Sequence, residues 1–598
     1  MAALRIPIGT ADFRELREGN FEFVDKSHLI TELIDRDNYT VVLLPRPRRF
    51  GKTINLTMLK WFFEKRDENL WHLFEDLHVA RAGDAYRAHF QQYPVIHISF
   101  KGTRAQTFDG CYGKILDVIQ EMCKAHERAL EGKLDASDAS KFRALVDGSA
   151  DQVLCELSLQ KLTRWLHEAH GKRPIVLIDE YDAAIHAGYT YGYYDKVIGF
   201  FRSFLEAGLK DNTHLGRAVM TGILRVAKES IFSGLNNPGV FTLLESEFNT
   251  CFGFTEPELQ GLLQKGGMEE YSELLRAYYN GYDFGGVAIY NPWSILEFLS
   301  RQDKRLLPYW LNTSENALIK HLLQHHAFAV EKEIRELLEG GAIDKQLDNS
   351  VVFSALETNK DALWSLLVFS GYLKASFMKP AYALEAPRHL LSIPNREVAE
   401  VYRSTFQMWL DKGLQAAGGN IDALTSALLK GDIEDFQDEL HKLVAFLPSY
   451  HDVRGAKPEQ FYHGLMIGLL AALEPDYEVR SNRESGEGRP DVLIKPRRPG
   501  KPGVVLELKA AKKRERTLKQ ALAEGLRQLR DNDYAAELRA AGVEKIHRLA
   551  IAFDGKKVLV ESADKPVKKR AATLRKVGET IRKVVTKTRS SASKKSKR

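Results

Sequence analysis

Apolar residues gather into four short runs in the first part of the chain: Val41-Val42-Leu43-Leu44, Val95 to Phe100, Ile175 to Ile178 and Ala218 to Thr221. Runs of this length without regular polar alternation predict strands covered on both faces, the habit of a parallel sheet. The stretches between them have no strand alternation. Ile54 to Phe63, Leu154 to His167 and Tyr194 to Leu205 read as helices. Strands alternating with helices predict a doubly wound α/β domain over residues 1–250, entered through a lead-in of short helices and loops. Residues 251–450 read as a helical lid or connector, with Pro257 to Leu263, Ile295 to Leu299, Ala317 to Leu323 and Val398 to Leu410 as helices. Over 451–560 alternation resumes, and Gly and Pro clusters bound two short strands, Val492–Ile494 and Val504–Leu508. Residues 561–598 lose most of their apolar positions and read as a disordered basic tail.

The composition agrees with several folded domains. The chain has 598 residues, 44% hydrophobic and 10% aromatic, too long for one core and too apolar for wholesale disorder. No apolar run approaches the roughly 18–20 residues of a membrane-spanning helix, so no membrane partner is expected. Residues Met1 to Pro7 lack the apolar core of a secretory leader. The four cysteines, Cys111, Cys123, Cys155 and Cys251, match neither a metal-site spacing nor a disulfide framework. Reduced thiols place the chain in the cytoplasm, or in the nucleus if the source is eukaryotic.

Charge separates the tail from the body. Residues 561–598 hold 14 Lys/Arg and 3 Asp/Glu, while the rest carries a net −5. A basic arm on a mildly acidic body predicts a polyanionic partner, nucleic acid first among them. Lys565 to Arg570 and Lys594 to Arg598 have the form of a nuclear address or of a non-specific DNA arm.

The run Val41–Leu44 leads into Pro45-Arg46-Pro47-Arg48-Arg49-Phe50-Gly51-Lys52-Thr53, which fits the phosphate loop GxxxxGK[ST] except that Arg46 replaces the first Gly. Gly51 allows backbone N–H groups to approach phosphates, Lys52 reaches the β/γ-phosphates, and Thr53 holds Mg²⁺. Arg48 and Arg49 are further phosphate candidates in the same loop. Downstream, Ile175–Ile178 ends in Asp179-Glu180. Asp179 is the expected Mg²⁺ support and Glu180 the residue that polarises the attacking water. Thr221, at the end of its own run, is the candidate sensor of the γ-phosphate, with Arg225 and Lys228 just beyond it.

These residues, with Asp25-Lys26, Leu177 to Asp182, Thr221-Gly222, Ser233 to Asn237, Gly253-Phe254-Thr255 and Tyr290-Asn291-Pro292-Trp293, resemble the AAA-ATPase-like family over about residues 5–320. The resemblance implies a P-loop NTPase sheet flanked by helices, an extra strand between the loop strand and the carboxylate strand, and ATP as ligand. It also implies that Arg46 is the family's own form of the loop.

A second constellation follows. Asp491, in Gly488-Arg489-Pro490-Asp491, precedes Glu507-Leu508-Lys509 by 16 residues. In a strand Glu507 and Lys509 share a face, and Asp491 at the start of the preceding hairpin strand can lie beside them. Two converging carboxylates suit Mg²⁺ or Mn²⁺, and a nearby ammonium stabilises charge. Asp491, Glu507 and Lys509 resemble the core motif of the PD-(D/E)XK nuclease superfamily over roughly 455–555. Glu459 or Glu484 is then the early acidic ligand, and Gln528 with Tyr534 resembles a motif of some branches. The segment after Lys509 reads as a helix with one basic face, and Lys512, Lys513, Arg514, Arg516 and Lys519 are its nucleic-acid-binding candidates. The joint expectation is an ATP-binding and ATP-hydrolysing protein that couples its nucleotide state to metal-dependent binding and cleavage of nucleic acid, DNA first. The alternative is a nucleotide-switched scaffold that binds nucleic acid through an inactive nuclease-like domain. An oligomer is compatible with the chain, but nothing in the sequence fixes one.

Overall fold

The computed structural model describes residues 4–223, 238–310, 319, 322–323, 326–338, 340–348, 353, 356, 359–378, 386–403, 415, 418–446, 458–470, 473, 476–481, 490–511 and 516–564. The chain divides into two compact units, Met1–Thr405 and Phe406–Arg598.

The first unit is built on a five-stranded sheet of β1 (Val41–Pro45), β2 (Val95–Ser99), β3 (Ile175–Asp179), β4 (Arg217–Gly222) and β5 (Gly239–Val240). The order is β2-β3-β4-β1-β5 and every pairing is parallel. Every residue of β1 and β3 is buried, which explains why these strands show no polar alternation. Helices Lys52–Phe63, Phe108–Lys124, Ser158–His170 and Tyr194–Leu209 connect the strands. β4 lies between β1 and β3, so Leu44 pairs with Thr221 and Ile178 with Met220. The carboxyl ends of all three strands therefore meet at one edge, where α/β sheets bind ligands.

Residues 251–450 are less uniformly helical than their pattern suggested. They contain an antiparallel sheet of β6 (Phe254–Thr255), β7 (Tyr282–Phe284) and β8 (Val287–Tyr290), and a second of β9 (Ile343–Lys345), β10 (Lys374–Met378) and β11 (Arg388–Ser392). Strands of two to five residues are too short for a period of two to stand out from the helical background. The compact units divide at 405/406, inside the segment read as one connector. The helices Glu256–Gly266 and Pro292–Ser300 form as expected, whereas most of Ala317–Leu323 and Val398–Leu410 lies outside the described residues.

The second unit carries a mixed sheet of β12 (Tyr477–Ser481), β13 (Val492–Pro496), β14 (Gly503–Ala510), β15 (Ile546–Asp554) and β16 (Lys557–Ser562) in that spatial order. β14 and β15 are parallel and the other pairs antiparallel. Leu493, Val505, Leu526, Leu529, Leu538 and Ala550 form a core between the sheet and the helix Leu518–Asp531. That helix starts later than its sequence reading. β14 runs on to Ala510, and Thr517 caps the helix in a reciprocal box with Gln520. The tail from 565 onward lies outside the described residues. Among the described residues no helix is long and apolar enough to cross a membrane.

Candidate functional site

The loop after β1 runs Arg46 to Gly51, and the helix Lys52–Phe63 begins directly behind it. Gly51 takes φ 87°, a turn that a Cβ would strain. Arg46 does not face outward. It is fully buried, and its guanidinium donates to the carbonyls of Pro45 (2.9 Å), Phe241 (2.7 Å) and Phe248 (3.0 Å). The rings of Phe252 and Phe284 lie 5.1 and 5.6 Å from it. Burial lowers its pKa to about 10, which leaves it charged at neutral pH. The residue that breaks the common phosphate-loop pattern is thus a bolt between the loop and the segment 241–252.

The remaining loop groups converge. Lys52 donates to the carbonyls of Arg46 (3.1 Å) and Pro47 (3.0 Å), and burial lowers its pKa while Glu180, Asp179 and Asp182 oppose this. The Thr53 hydroxyl donates to Asp179 Oδ2 at 2.7 Å. Asp179 is fully buried, and its other oxygen accepts from the Thr221 hydroxyl at 2.7 Å. Thr221, read from the sequence as a sensor of the γ-phosphate, here spends its hydroxyl on Asp179 and orients that carboxylate. Glu180 follows at φ 48°, turned away from the strand. Burial raises its pKa, and the Lys52 ammonium pulls it back. A pocket of about 480 Å³ is lined by Arg48, Arg49, Gly51, Lys52, Thr53 and Glu180. Arg225, Lys228 and Ser233 to Asn237 lie outside the described residues.

The other motifs quoted from the sequence form a brace around this loop. Asn291 caps the helix Pro292–Ser300 and reaches the Arg48 carbonyl at 3.4 Å, where Trp310 Nε1 also donates at 3.2 Å. Gly253 donates its N–H to the Phe50 carbonyl at 3.1 Å. It has φ 78°, and a Cβ there would fall 2.2 Å from Ile289 Cγ2. Lys26 is buried and donates to Thr250 O and to Glu258, the residue that completes the Thr255 capping box. Several parts of the pocket wall were missed, two of them next to the loop. One is Pro7 and Gly9 to Ala11 with Phe23 and Val24, which carry no sequence signal. The other is Trp293, which was quoted in a motif without a role.

In the second unit, β13 and β14 pair Val492 with Leu506, so Asp491 sits beside Glu507. Asp491 Oδ2 accepts the Leu508 N–H at 2.7 Å, and Lys509 Nζ donates to Glu507 Oε1 at 2.7 Å. Glu507 is buried and its Oε2 has no hydrogen-bond partner among the described residues. Burial raises its pKa to about 7, with the Asp491 charge adding and Lys509 opposing. A buried carboxylate oxygen without a donor is the kind of group a divalent cation satisfies, so the donor set fits Mg²⁺ or Mn²⁺. Gly525 lets the helix Leu518–Asp531 close over the site. A Cβ there would press on Ala550 Cβ at 3.1 Å and touch Lys509 Cγ at 3.5 Å. One turn on, Gln528 Oε1 is also buried without a partner among the described residues. His463, on the helix Pro458–Leu470, brings Nε2 within 3.0 Å of the Asp491 carbonyl and was not anticipated.

Several other expected residues fall outside what the structure describes, and Arg516 has another role. Glu484 lies outside the described residues, as does the side chain of Glu459. Lys512, Lys513 and Arg514 also lie outside them. Arg516 precedes the helix instead of riding on it. Its guanidinium donates to Glu524 (2.5 Å) and to the Ala510 carbonyl (2.6 Å), which ties the end of β14 to the helix. Lys519 is exposed, and Arg527 and Arg530 are exposed on the same helix.

Comparison with known proteins bears on both units. Residues 7–232 match the AAA-ATPase-like family, described as "Predicted AAA-ATPase", and residues 457–563 match the PD-(D/E)XK nuclease superfamily. The chain is similar to an "Uncharacterized protein in vnfD 5'region" of Azotobacter chroococcum mcd 1. The two are 28% identical over 564 residues, covering 92% of this chain and 97% of the relative. The chain carries an AAA-ATPase-like domain at residues 7–232 and a PD-(D/E)XK nuclease superfamily domain at residues 457–563.

Proposed function

We propose that this protein binds and hydrolyses ATP and couples its nucleotide state to metal-dependent binding and cleavage of DNA. The observation that supports this most is that each unit assembles a carboxylate–cation centre with one group left unengaged among the described residues. In the first, Glu180 lines the pocket beside Lys52, while Thr53 and Thr221 fix Asp179. In the second, Glu507 Oε2 has no partner beside Lys509.

In this reading Lys52 leaves the loop carbonyls for the β/γ-phosphates, and Glu180 orients the attacking water. Its raised pKa makes it a better proton acceptor than a surface carboxylate. Thr53 and Asp179 would hold Mg²⁺, which neutralises phosphate charge when bound. In the second unit Asp491 and Glu507 would hold Mg²⁺ or Mn²⁺, which polarises a phosphodiester when bound. Lys509 there stabilises the charge that develops on phosphate. The exposed cations Lys519, Arg527 and Arg530, with the basic tail, supply affinity for the DNA backbone that does not depend on sequence.

One observation favours the second reading, a nucleotide-switched scaffold that binds DNA without cutting it. Lys509 is already paired with Glu507 at 2.7 Å, so this ammonium has its counter-charge without phosphate or metal. A cleavage assay on linear, circular and branched DNA separates the two. It compares wild type with Lys509→Ala, Lys52→Ala and Glu180→Gln, with Mg²⁺ or Mn²⁺, and with or without ATP. Cleavage lost in Lys509→Ala and altered in Lys52→Ala supports coupled centres. DNA binding without cleavage under every condition supports the scaffold.

A further inference from the structure

Arg49 has an unusual place in the nucleotide loop. It is a non-glycine residue at φ 67°, where a side chain costs of order 1 kcal/mol and Gly would be cheaper. Its side chain is exposed and lines the same pocket as Lys52, Thr53 and Glu180. Among the described residues its guanidinium forms no hydrogen bond or ion pair. It stands over the face of Trp293, 4.0 Å from the ring centroid, and the carboxylates of Glu180 and Glu297 act on its charge without pairing with it. Such a contact on an exposed cation is worth about 0.5–1 kcal/mol. A bidentate bond to phosphate is worth several times more.

The surroundings of this pair are held. The Arg48 carbonyl is fixed by Asn291 and Trp310. Trp293 is half-buried, and the next residue, Ser294, hydrogen-bonds buried Glu397 at 2.9 Å. Glu397 in turn accepts the Trp310 N–H at 2.8 Å. The backbone on both sides of the contact is therefore anchored, and the Arg49 side chain is the element free to move.

We propose that Arg49 binds the terminal phosphate of ATP from within the loop, exchanging its contact with Trp293 for that phosphate. This rests on the nucleotide reading of the pocket. The exchange gives the site a way to tell a nucleoside triphosphate from a diphosphate without a residue from another subunit. It also uncovers the Trp293 ring only in the triphosphate state.

The test uses the full-length protein and its Arg49→Ala, Arg49→Lys and Trp293→Phe variants. Each is titrated with Mg-ADP and with a slowly hydrolysed Mg-ATP analogue by calorimetry, while tryptophan emission is followed. Thermal melts without nucleotide check that each variant is folded. Arg49→Ala is expected to weaken the triphosphate at least about 10-fold and to leave the diphosphate within about 2-fold. Arg49→Lys recovers part of the loss. The wild-type emission is expected to change with the triphosphate more than with the diphosphate, and the difference disappears in Trp293→Phe. Equal weakening of both nucleotides in Arg49→Ala, no weakening of either, or an emission change that persists in Trp293→Phe overturns the assignment. Those results leave the nucleotide site standing. Wild type that binds neither nucleotide overturns the site itself.

Discussion

The Thr53 hydroxyl lies 2.7 Å from Asp179 Oδ2, a hydrogen bond across 126 positions of the chain that joins the phosphate loop to the end of β3. β4 lies between the two strands, and Thr221 on it donates to the other Asp179 oxygen. Three strand ends thereby place one carboxylate without freedom to rotate.

Removing one donor should show this. Thr221→Val leaves Asp179 Oδ1 buried without its hydroxyl and is expected to cost about 1–3 kcal/mol of stability. ATP turnover should fall more than ATP affinity, since the carboxylate remains but loses its orientation. Urea unfolding and steady-state ATPase kinetics measure both. Unchanged stability together with unchanged turnover would remove Thr221 from the site.

Arg46 offers a sharper contrast. Arg46→Gly restores the common phosphate-loop pattern, so an argument from motif alone expects equal or better nucleotide binding. The structure predicts the opposite. Three carbonyls lose a buried donor and a cavity opens beneath Phe252 and Phe284. The expected cost is about 3 kcal/mol or more. Urea midpoints, followed by nucleotide titration, decide between the two arguments.

Glu507 carries a pH dependence with a defined sign. Its carboxyl is raised to about 7 by burial and by Asp491, against roughly 4.3 in an unfolded chain. Between these values the native state binds more protons than the unfolded one, so stability falls as pH rises. In metal-free buffer, wild type should lose thermal stability relative to Glu507→Gln over that window. At pH 8 added Mg²⁺ should restore stability to wild type and not to the variant. Mn²⁺ affinity, read by calorimetry, should weaken as pH drops below about 7. Affinity independent of pH would mean that Glu507 is not a ligand.

The exposed cations of the helix Leu518–Asp531 can be separated from the tail by salt dependence. Changing Lys519, Arg527 and Arg530 together to Ala should weaken DNA binding evenly across sequences and reduce the slope of log K against log salt by about 2–3. Deleting residues 565–598 should reduce the slope further and by an independent amount. Arg516→Ala should instead lower stability, because its guanidinium holds Glu524 and the Ala510 carbonyl. A chain without the tail that ignores DNA, with the helix cations intact, would place all the affinity in the tail.

Much of the first unit was legible because strands buried on both faces are written as continuous apolar runs, and β1 to β4 all fall on them. Lys52, Thr53 and Asp179 could be named from local pattern, since a phosphate loop and a strand-end carboxylate are local features. Asp491, Glu507 and Lys509 were legible for a related reason. Alternation along β14 and the pairing of a hairpin need only a few neighbouring residues.

The sequence by itself determined the parallel sheet, the order of its chemistry along the chain and the carboxylate–lysine set of the second unit, because each depends on short-range periodicity and residue type. Tertiary structure alone decided that Arg46 turns inward, that Thr221 serves Asp179, that Arg516 serves the fold and that Trp293 meets Arg49. Each of these is a choice of hydrogen-bond or ring partner made across tens to hundreds of residues. Nothing local selects such a partner, because the groups that desolvate and orient these side chains reach them only once the chain has folded.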